Sequence, residues 1–327
     1  MSKDKPLVLC LIGPTASGKT ALAVELVQRF RLEIVSIDSA MIYRGMNIGS
    51  AKPDAETLAK APHHLIDILD PTEAYSAAQC CEDVNALCNA IIQRGHVPLL
   101  TGGTMMYFNA LQQGLSSLPE ANALVRKALL NQATEHGWAY MHNRLAEVDP
   151  VSAARIHPND TQRIQRALEV FTVTQTPLST LWDETKPAPS FRFMNLVIMP
   201  KDRSWLHERV AVRFQQMLAD GLIDEVAQLI KTWSLTTTHP SMKSVGYRQV
   251  FSYLQDEYDE KTLADKGIAA TRQLAKRQLT WLRHWPEKEV FIAENPAICD
   301  EMMALVRQLV EPSPWVAAER NYSGPQK

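Results

Sequence analysis

This sequence has no long hydrophobic run, no surplus of one charge and few glycines. No apolar segment approaches the roughly 18 residues that a membrane-spanning helix needs, so the sequence predicts no membrane partner. Its 34 lysines and arginines stand against 36 acidic residues, a net charge of −2 that excludes a globally basic nucleic-acid binder but allows a local basic surface. Only 13 of the 327 residues are glycine and 46% are hydrophobic, which is typical of a helix-rich globular protein of about two domains.

Paired metal-binding or disulfide-forming cysteines are also missing. The five cysteines form no Cys-x-x-Cys pair and have no histidine at zinc-finger spacing; they are Cys10, Cys80, Cys81, Cys88 and Cys299. An odd number of cysteines without any pairing motif indicates a reducing compartment, and we therefore expect a cytoplasmic protein. The adjacent His63 and His64 point in different directions, so structural or capping roles are favoured over a metal site.

Strand and helix patterns alternate in the N-terminal third of the chain. Continuous apolar runs predict strands at 7–12, 33–38 and 97–101, and helical spacing predicts helices at 20–30 and 77–94. Such alternation arises when parallel strands are joined by right-handed helical crossovers. We therefore expect an α/β fold built on an open parallel sheet flanked by helices.

The pattern changes to almost continuous helix after residue 115. Residues 123–173 have helical spacing interrupted by turns at 149–150 and 157–160, which predicts an all-helical insertion domain. A strand is expected at 191–199, followed by long helices at 203–233 and 261–285. The predicted organisation is therefore an α/β core at 1–114 and 191–311, an insertion at 115–190 and an unfolded tail at 312–327.

One motif between the first strand and the first helix indicates phosphate chemistry. It matches Gly-x-x-x-x-Gly-Lys-Thr, is called the P-loop below, and consists of Gly13, Pro14, Thr15, Ala16, Ser17, Gly18, Lys19 and Thr20. Its glycines let backbone amides converge on phosphate oxygens, Lys19 adds a point charge, and the Thr20 hydroxyl can hold Mg²⁺. The P-loop predicts binding of a di- or triphosphate but not the reaction that follows. The sequence has no Asn-Lys-x-Asp motif, which disfavours a GTPase.

Asp38 follows the second strand and is a candidate catalytic carboxylate. The carboxyl ends of parallel strands face the crevice beside the P-loop, so Asp38 could bind Mg²⁺ through water or accept a proton from a nucleophile. Its neighbours Ser36 and Ser39 are also compatible with a turn, and a purely structural turn or cap role for Asp38 stays open.

Several segments together resemble the tRNA dimethylallyltransferase (tRNA isopentenyltransferase) family. Besides the P-loop, the similarity rests on residues 38–46, 48–53, 63–67, 102–108, 162–170, 246–249 and 276–281. It runs in the family's order from about residue 7 to residue 290. The departures are small: Asn47 and Ser50 stand where the family has an aspartate and a threonine, and Met105 stands where glycine is common.

The resemblance implies a reaction and a role for each catalytic candidate. The family transfers a dimethylallyl group from dimethylallyl diphosphate to N6 of the adenosine immediately 3′ of the tRNA anticodon and releases diphosphate. The P-loop with Mg²⁺ would then stabilise the leaving diphosphate. Arg213 matches the family's diphosphate-contacting arginine, and Asp38 matches the group that takes the proton of the adenine amine.

The resemblance also implies a set of contacts with the anticodon stem-loop. The implied residues are Asp38, Ser39, Ala40, Met41, Thr104, Arg126, Gln162, Arg163, Ile164, Gln165, Arg166, Lys243, Ser244, Val245, Gly246, Tyr247, Arg248, Lys276, Arg277, Gln278, Leu279, Thr280, Trp281, Leu282 and Arg283. Because the net charge is near zero, we expect positive charge to be confined to a channel formed by 162–166, 243–248 and 276–283. Tyr247 beside cations is interpreted as a base-stacking residue, whereas Met105-Met106 and the Trp281/Trp285 pair are interpreted as core.

Two other functions compete with this one. A P-loop kinase of a small molecule would turn over ATP, but it gives no reason for the three basic segments. An RNA-binding P-loop protein that uses a nucleotide as a switch would not need Asp38 for chemistry. The family is usually monomeric, and the resemblance implies the same state here.

Overall fold

The computed structural model describes residues 5–116, 118–182 and 188–311. The chain divides into two compact units, one formed by Met1–Ala110 with Ser190–Lys327 and the other by Leu111–Pro189. The second unit lies close to the residues 115–190 that the sequence assigns to an insertion. The tail expected at 312–327 lies outside the described residues. Within the described ranges, no helix combines the length and the apolar character needed to cross a membrane.

A six-stranded parallel sheet forms the centre of the first unit. Its strands β1 to β6 are Leu7–Ile12, Leu32–Ile37, His63–His64, Val97–Gly102, Arg192–Met199 and Lys288–Ile292. Their order is β3-β2-β4-β1-β5-β6, with every neighbouring pair parallel. The predicted α/β class and the four central strands are confirmed. The two edge strands have no sequence prediction, because one has only two residues and the other starts with two charged residues and buries only Phe291.

Fourteen α-helices occur in the described residues. Helices α1 to α14 are Lys19–Arg29, Ala55–Lys60, Ala77–Gln93, Met105–Gln113, Ala123–His136, Trp138–Val148, Pro150–Arg155, Thr161–Thr174, Leu178–Trp182, Arg203–Ala219, Leu222–Trp233, Tyr247–Leu254, Glu260–Arg283 and Ile298–Val310. The prediction of a single helix at 203–233 is wrong. It is broken between α10 and α11 at Gly221, whose φ of +99° is left-handed and interrupts the helix.

Helices α10 and α13 cross closely beside the sheet. At the crossing, a Cβ atom on Gly267 would lie 1.9 Å from Cζ of Phe214, so only glycine permits this approach. A small apolar cluster then joins both helices to the P-loop, and it consists of Ala16, Leu206, Val210, Ala275 and Leu279. The packing therefore fixes side chains of α10 and α13 beside the end of β1.

The second unit is an all-helical bundle with its own core. Leu129, Met141, Leu145, Ile164 and Leu168 are among its buried side chains. These positions recur at helical spacing on α5, α6 and α8, and each helix buries one face against the others. The unit therefore has the helical character that the sequence predicts for its insertion.

A buried carboxylate organises one side of this bundle. Glu169 is fully buried and accepts hydrogen bonds from Arg126 Nε at 3.0 Å, Arg166 Nη1 at 2.8 Å and the Asn122 amide at 2.7 Å. Burial alone would raise the pKa of Glu169, but these donors hold it below its usual value. Arg126 and Arg166 thus have an internal structural partner.

Candidate active site

A large cleft opens at the carboxyl ends of the central strands. Its volume is about 1650 Å³, and Lys19, Thr20, Asp38, Thr104 and Arg213 all line it. Their elements are adjacent in space, because β4 lies between β1 and β2 and the segments after all three strands meet at one edge of the sheet. The structure thus brings together the four catalytic candidates and Thr104, a residue implied to contact the tRNA, from segments that are far apart in the sequence.

The P-loop connects β1 to α1 in a tight turn. Gly18 has a φ of +92° and precedes α1 without a side-chain cap, which leaves the first amides of the helix available to an anion. A Cβ atom at Gly13 would lie 2.9 Å from Ser17 Oγ and 3.2 Å from Ile198 Cβ. Ser17 Oγ is buried and has no hydrogen-bond partner among the described residues. The loop therefore has the geometry and spare donors of an anion site.

Two cations of different elements face each other in the cleft. Lys19 Nζ donates to the Pro14 carbonyl at 2.7 Å, and burial together with the charge of Arg213 lowers the pKa of Lys19 to about 7, while Asp38 opposes the shift. Burial also lowers the pKa of Arg213, which Asp38 raises and Arg209 lowers further. Lys19 and Arg213 therefore both interact with the carboxylate of Asp38.

Arg209 is a site residue to which the sequence analysis assigns no role. Its Nε donates to the Ala16 carbonyl at 2.8 Å, and its guanidinium lies 4.8 Å from the centre of the Trp205 ring. The spacing of Arg209 and Arg213, four residues apart on one helix, is the sequence signal for their shared face. Arg209 thus supports the backbone of the P-loop while adding charge to the cleft.

Asp38 combines a role in a turn with a position in the lining of the cleft. Its Oδ1 accepts hydrogen bonds from the amides of Ala40 at 2.8 Å and Met41 at 3.2 Å, as an aspartate in a turn does. Its Oδ2 accepts no hydrogen bond from the described part of the chain. The next amide, that of Ser39, donates to Thr104 Oγ1 at 3.2 Å. The turn therefore orients Asp38 and joins it to the end of β4.

Glu225 holds another wall of the cleft in place. This α11 carboxylate accepts the amides of Asn47 at 3.0 Å, Ile48 at 2.7 Å and Gly49 at 3.2 Å, together with the Tyr247 hydroxyl at 2.7 Å. All three amide-bearing residues line the cleft. Sequence reasoning missed Glu225, because nothing in its local pattern points to a loop far away in the chain.

The residues implied to contact RNA in the first unit fall into two classes. The exposed class contains Lys243, Arg248, Lys276, Arg277, Thr280 and Arg283. Arg277 also lines the cleft, together with Ser244, Val245, Gly246, Gln278 and Trp281. Leu279 and Leu282 are buried. Their side chains therefore belong to the core of the unit and not to a surface.

The base-stacking interpretation of Tyr247 is wrong. Its ring has no exposed surface and its hydroxyl is bound by Glu225. The expected core pairs also divide: Met105 and Trp285 are buried, whereas Met106 is 56% exposed and Trp281 is 44% exposed. An aromatic residue beside cations in the sequence can lie in the core or on the surface. Which of the two applies depends on the face of the helix that carries it.

In the second unit, the implied RNA residues are likewise divided. Arg163 is exposed beside Asp160, at 3.4 Å between Nε and Oδ2. Gln162 is exposed, whereas Gln165 donates to the Arg126 carbonyl at 3.1 Å and the Ile164 side chain is in the core. Arg163 is therefore the guanidinium on α8 that is most open to an external phosphate.

We predict that Glu225→Gln loosens loop 47–49 and lowers the free energy of unfolding by about 1–3 kcal/mol, because an amide cannot accept all four hydrogen bonds. Asp224→Asn is the matched control. Asp224 is exposed in the same first helical turn, and losing its interaction with the helix dipole costs about 0.3–1 kcal/mol. Urea unfolding and hydrogen exchange at residues 47–49 measure both effects. Equal exchange in the two variants would contradict the role of Glu225.

Comparison with known sequences gives a consistent result. A model described as IPP transferase matches residues 41–285. Proteins named tRNA dimethylallyltransferase from Legionella pneumophila (strain Lens) and Coxiella burnetii (strain RSA 493 / Nine Mile phase I) are 56% and 50% identical to this chain, over 305 and 304 residues. Each alignment covers 93% of this chain and 97% of the relative.

Solved structures agree with the sequence comparison. A tRNA isopentenylpyrophosphate transferase from Bacillus halodurans is 32% identical with a TM-score of 0.68, covering 94% of this chain and 97% of that protein. A eukaryotic dimethylallyltransferase acting on tRNA shares the fold with a TM-score of 0.77 at 23% identity, covering 94% and 80%. The family match, the relatives and the shared fold establish that this chain belongs to the IPP transferase family and is a prenyl-transferring enzyme.

Proposed function

We propose that this enzyme transfers a dimethylallyl group from dimethylallyl diphosphate to N6 of the adenosine immediately 3′ of the anticodon in tRNA. The observation that carries the proposal is the meeting of Lys19 and Arg213 with the carboxylate of Asp38 in one cleft. Cations stabilise the negative charge of a diphosphate leaving group, and a carboxylate can accept a proton from the amine that replaces it. The names of the relatives support the choice of prenyl donor and tRNA acceptor.

The leaving group is stabilised by the P-loop and the cations around it. When the C1–O bond of the donor breaks, its electron pair goes to diphosphate, whose charge grows in the transition state. Backbone amides at the start of α1, Lys19 and Arg213 meet that charge in positions fixed by packing. These groups do not reorganise during the reaction, which is why a P-loop can serve an enzyme that does not transfer phosphate.

Asp38 acts on the acceptor. The lone pair of adenine N6 forms the new bond to C1, and a proton leaves the nitrogen as its electron density falls. Asp38 accepts that proton at Oδ2, because Oδ1 is held by the amides of Ala40 and Met41. Thr104 is linked to the same turn through Ser39 and lies beside the path of the base. The adenine must leave its stack to reach Asp38.

The oxygen groups of the cleft fit Mg²⁺. Thr20 has an exposed hydroxyl at the start of α1 and lines the cleft with Asp38. Among the described residues, no cluster of three or more histidines, cysteines, aspartates or glutamates could hold a metal ion. Mg²⁺ commonly uses few protein oxygens together with substrate phosphates, so Thr20 is the residue that would hold it. A bound Mg²⁺ would neutralise charge on the leaving diphosphate.

Exposed cations of both units are proposed to contact the tRNA. In the first unit they are Lys243, Arg248, Lys276, Arg277 and Arg283, none of which has an ion pair within the described residues. In the second unit Arg163 plays this part. The enzyme is proposed to act as a monomer in the cytoplasm.

The direct test is incubation with Mg²⁺, labelled dimethylallyl diphosphate and a tRNA carrying adenosine 3′ of its anticodon. We expect label transfer, a loss of about 10²–10⁴-fold in kcat for Asp38→Asn, and a raised KM for dimethylallyl diphosphate in Arg213→Ala. Asp300→Asn, an exposed acid on α14, should behave as wild type. Absence of transfer with robust phosphoryl transfer from ATP would establish a kinase instead, and full activity of Asp38→Asn would remove the proposed base.

The pKa of Lys19 predicts how diphosphate binding depends on pH. With a pKa of about 7, the Lys19 amine of the free enzyme is protonated below pH 7 and loses its positive charge above it. A bound anion favours the protonated form of Lys19. Inorganic diphosphate should therefore bind with proton uptake at pH 8. Lys19→Arg stays charged and removes that uptake, leaving only the titration of the ligand. Calorimetry in buffers of different ionisation enthalpy measures the difference, and equal proton uptake in both proteins would refute the assignment.

The salt dependence of tRNA binding tests the role of Arg163. If Arg163 contacts a phosphate, Arg163→Ala should weaken binding and lower the slope of log K against log salt by about one unit. Arg155→Ala removes an equally exposed charge that has no assigned contact and should leave the slope unchanged. Filter binding across a salt series provides the slopes, and an unchanged slope for Arg163→Ala would place this residue outside the interface.

A further inference from the structure

One buried amide links two turns of the cleft. Gln278 on α13 is 7% exposed, its Oε1 accepts the Thr15 amide at 2.9 Å, and its Nε2 donates to the Gly103 carbonyl at 2.8 Å. A Cβ atom at Gly103 would lie 2.4 Å from this Nε2, so glycine permits the approach. The side chain therefore bridges the P-loop and the turn that follows β4.

The two bridged turns have different tasks in the proposed reaction. Thr15 belongs to the loop that holds the donor diphosphate. Gly103 directly precedes Thr104, whose Oγ1 accepts the Ser39 amide next to the base Asp38. The contacts thus run without interruption from the donor loop through Gln278 to the turn that carries the acceptor's base. No helix or strand hydrogen bond joins these two turns directly.

The chemistry of the bridge requires a carboxamide. One atom must accept from an N–H group and another must donate to a carbonyl, and a glutamine side chain has both in a fixed geometry. A carboxylate at the same place could accept from Thr15 but would face the Gly103 oxygen without a proton. Gln278 is also too buried to be mainly a surface contact for RNA, the role that the sequence resemblance implies for it.

We propose that Gln278 is a positioning residue that sets the distance between the bound diphosphate donor and the acceptor's base. The proposal rests on the proposed prenyl transfer. A displacement of about 1 Å between reacting groups can reduce a rate by about 10²-fold, while binding of each substrate alone depends on it much less. Loss of the bridge should therefore affect kcat more than either KM.

Gln278→Glu tests this with almost no change in shape. We expect kcat for prenyl transfer to fall about 10- to 100-fold at pH 8, with less than a threefold change in KM for dimethylallyl diphosphate and for tRNA. Relative to wild type, activity should recover as pH falls, because a protonated glutamate can again donate to Gly103. Gln273→Glu adds the same charge at an exposed position of the same helix and should keep wild-type kinetics.

Three kinetic outcomes would overturn the proposal. Wild-type kcat in Gln278→Glu would show that the bridge has no effect on the chemical step. A raised KM for tRNA with unchanged kcat would make Gln278 an RNA contact instead. A loss of kcat without relative recovery at low pH would mean that the donor to Gly103 is not what matters.

Hydrogen exchange separates this proposal from the proposed function. Without any substrate, Gln278→Glu should speed hydrogen exchange of the Thr15 amide and of residues 102–105 at least tenfold relative to Gln273→Glu. Thermal unfolding curves verify that both variants are folded. If wild type fails to transfer the prenyl group, the proposed function is refuted and the exchange result still decides on the bridge. Unchanged exchange at Thr15 overturns the bridge even if wild type is fully active.

Discussion

The burial of two cations, Lys19 and Arg213, in one cleft is the constraint on which the rest of the site depends. Burial and like charge both lower the pKa of each cation, and Asp38 is the carboxylate that opposes this effect. Such a pair persists only if packing holds α1 and α10 rigidly in place. The Phe214–Gly267 crossing and the apolar cluster around Ala16 provide that rigidity. A bound polyanion would stabilise both cations, so in the proposed function this cost contributes to the affinity for the diphosphate donor.

The loops of the cleft take their shape from side chains that are distant in sequence. Gln278 binds the amide of Thr15, Arg209 binds the carbonyl of Ala16, and Glu225 binds the amides of residues 47–49. The C-terminal helices of the first unit therefore act as a scaffold for the P-loop and for the proposed phosphate site that it forms. A rigid scaffold of this kind is what electrostatic stabilisation of a leaving group requires.

The sequence predicted those parts of the molecule whose signal is local. The central strands, α1 and the P-loop are each specified by about ten adjacent residues, and the sheet topology then brings Asp38 and Thr104 to them. The functions of Glu225 and Gln278 could not be predicted, because the loop backbone groups that they bind are more than 170 residues away in the sequence. Tyr247 was misassigned for a related reason: its neighbours in sequence are cations, but its partner in space is Glu225.

The net charge of the chain does not show which of its cations are paired with carboxylates inside the protein. In the described residues, several arginines are bound to internal carboxylates, among them Arg126 and Arg166 with Glu169 and Arg94 with Glu33. Over the whole sequence the 36 acidic residues offset the 34 basic ones, so non-specific attraction to phosphates is reduced. Recognition of the proposed acceptor must depend more on how its adenine fits beside Asp38 and Thr104. A protein with near-zero net charge gains selectivity from this division, because an RNA without a base that can enter the cleft has little to hold it.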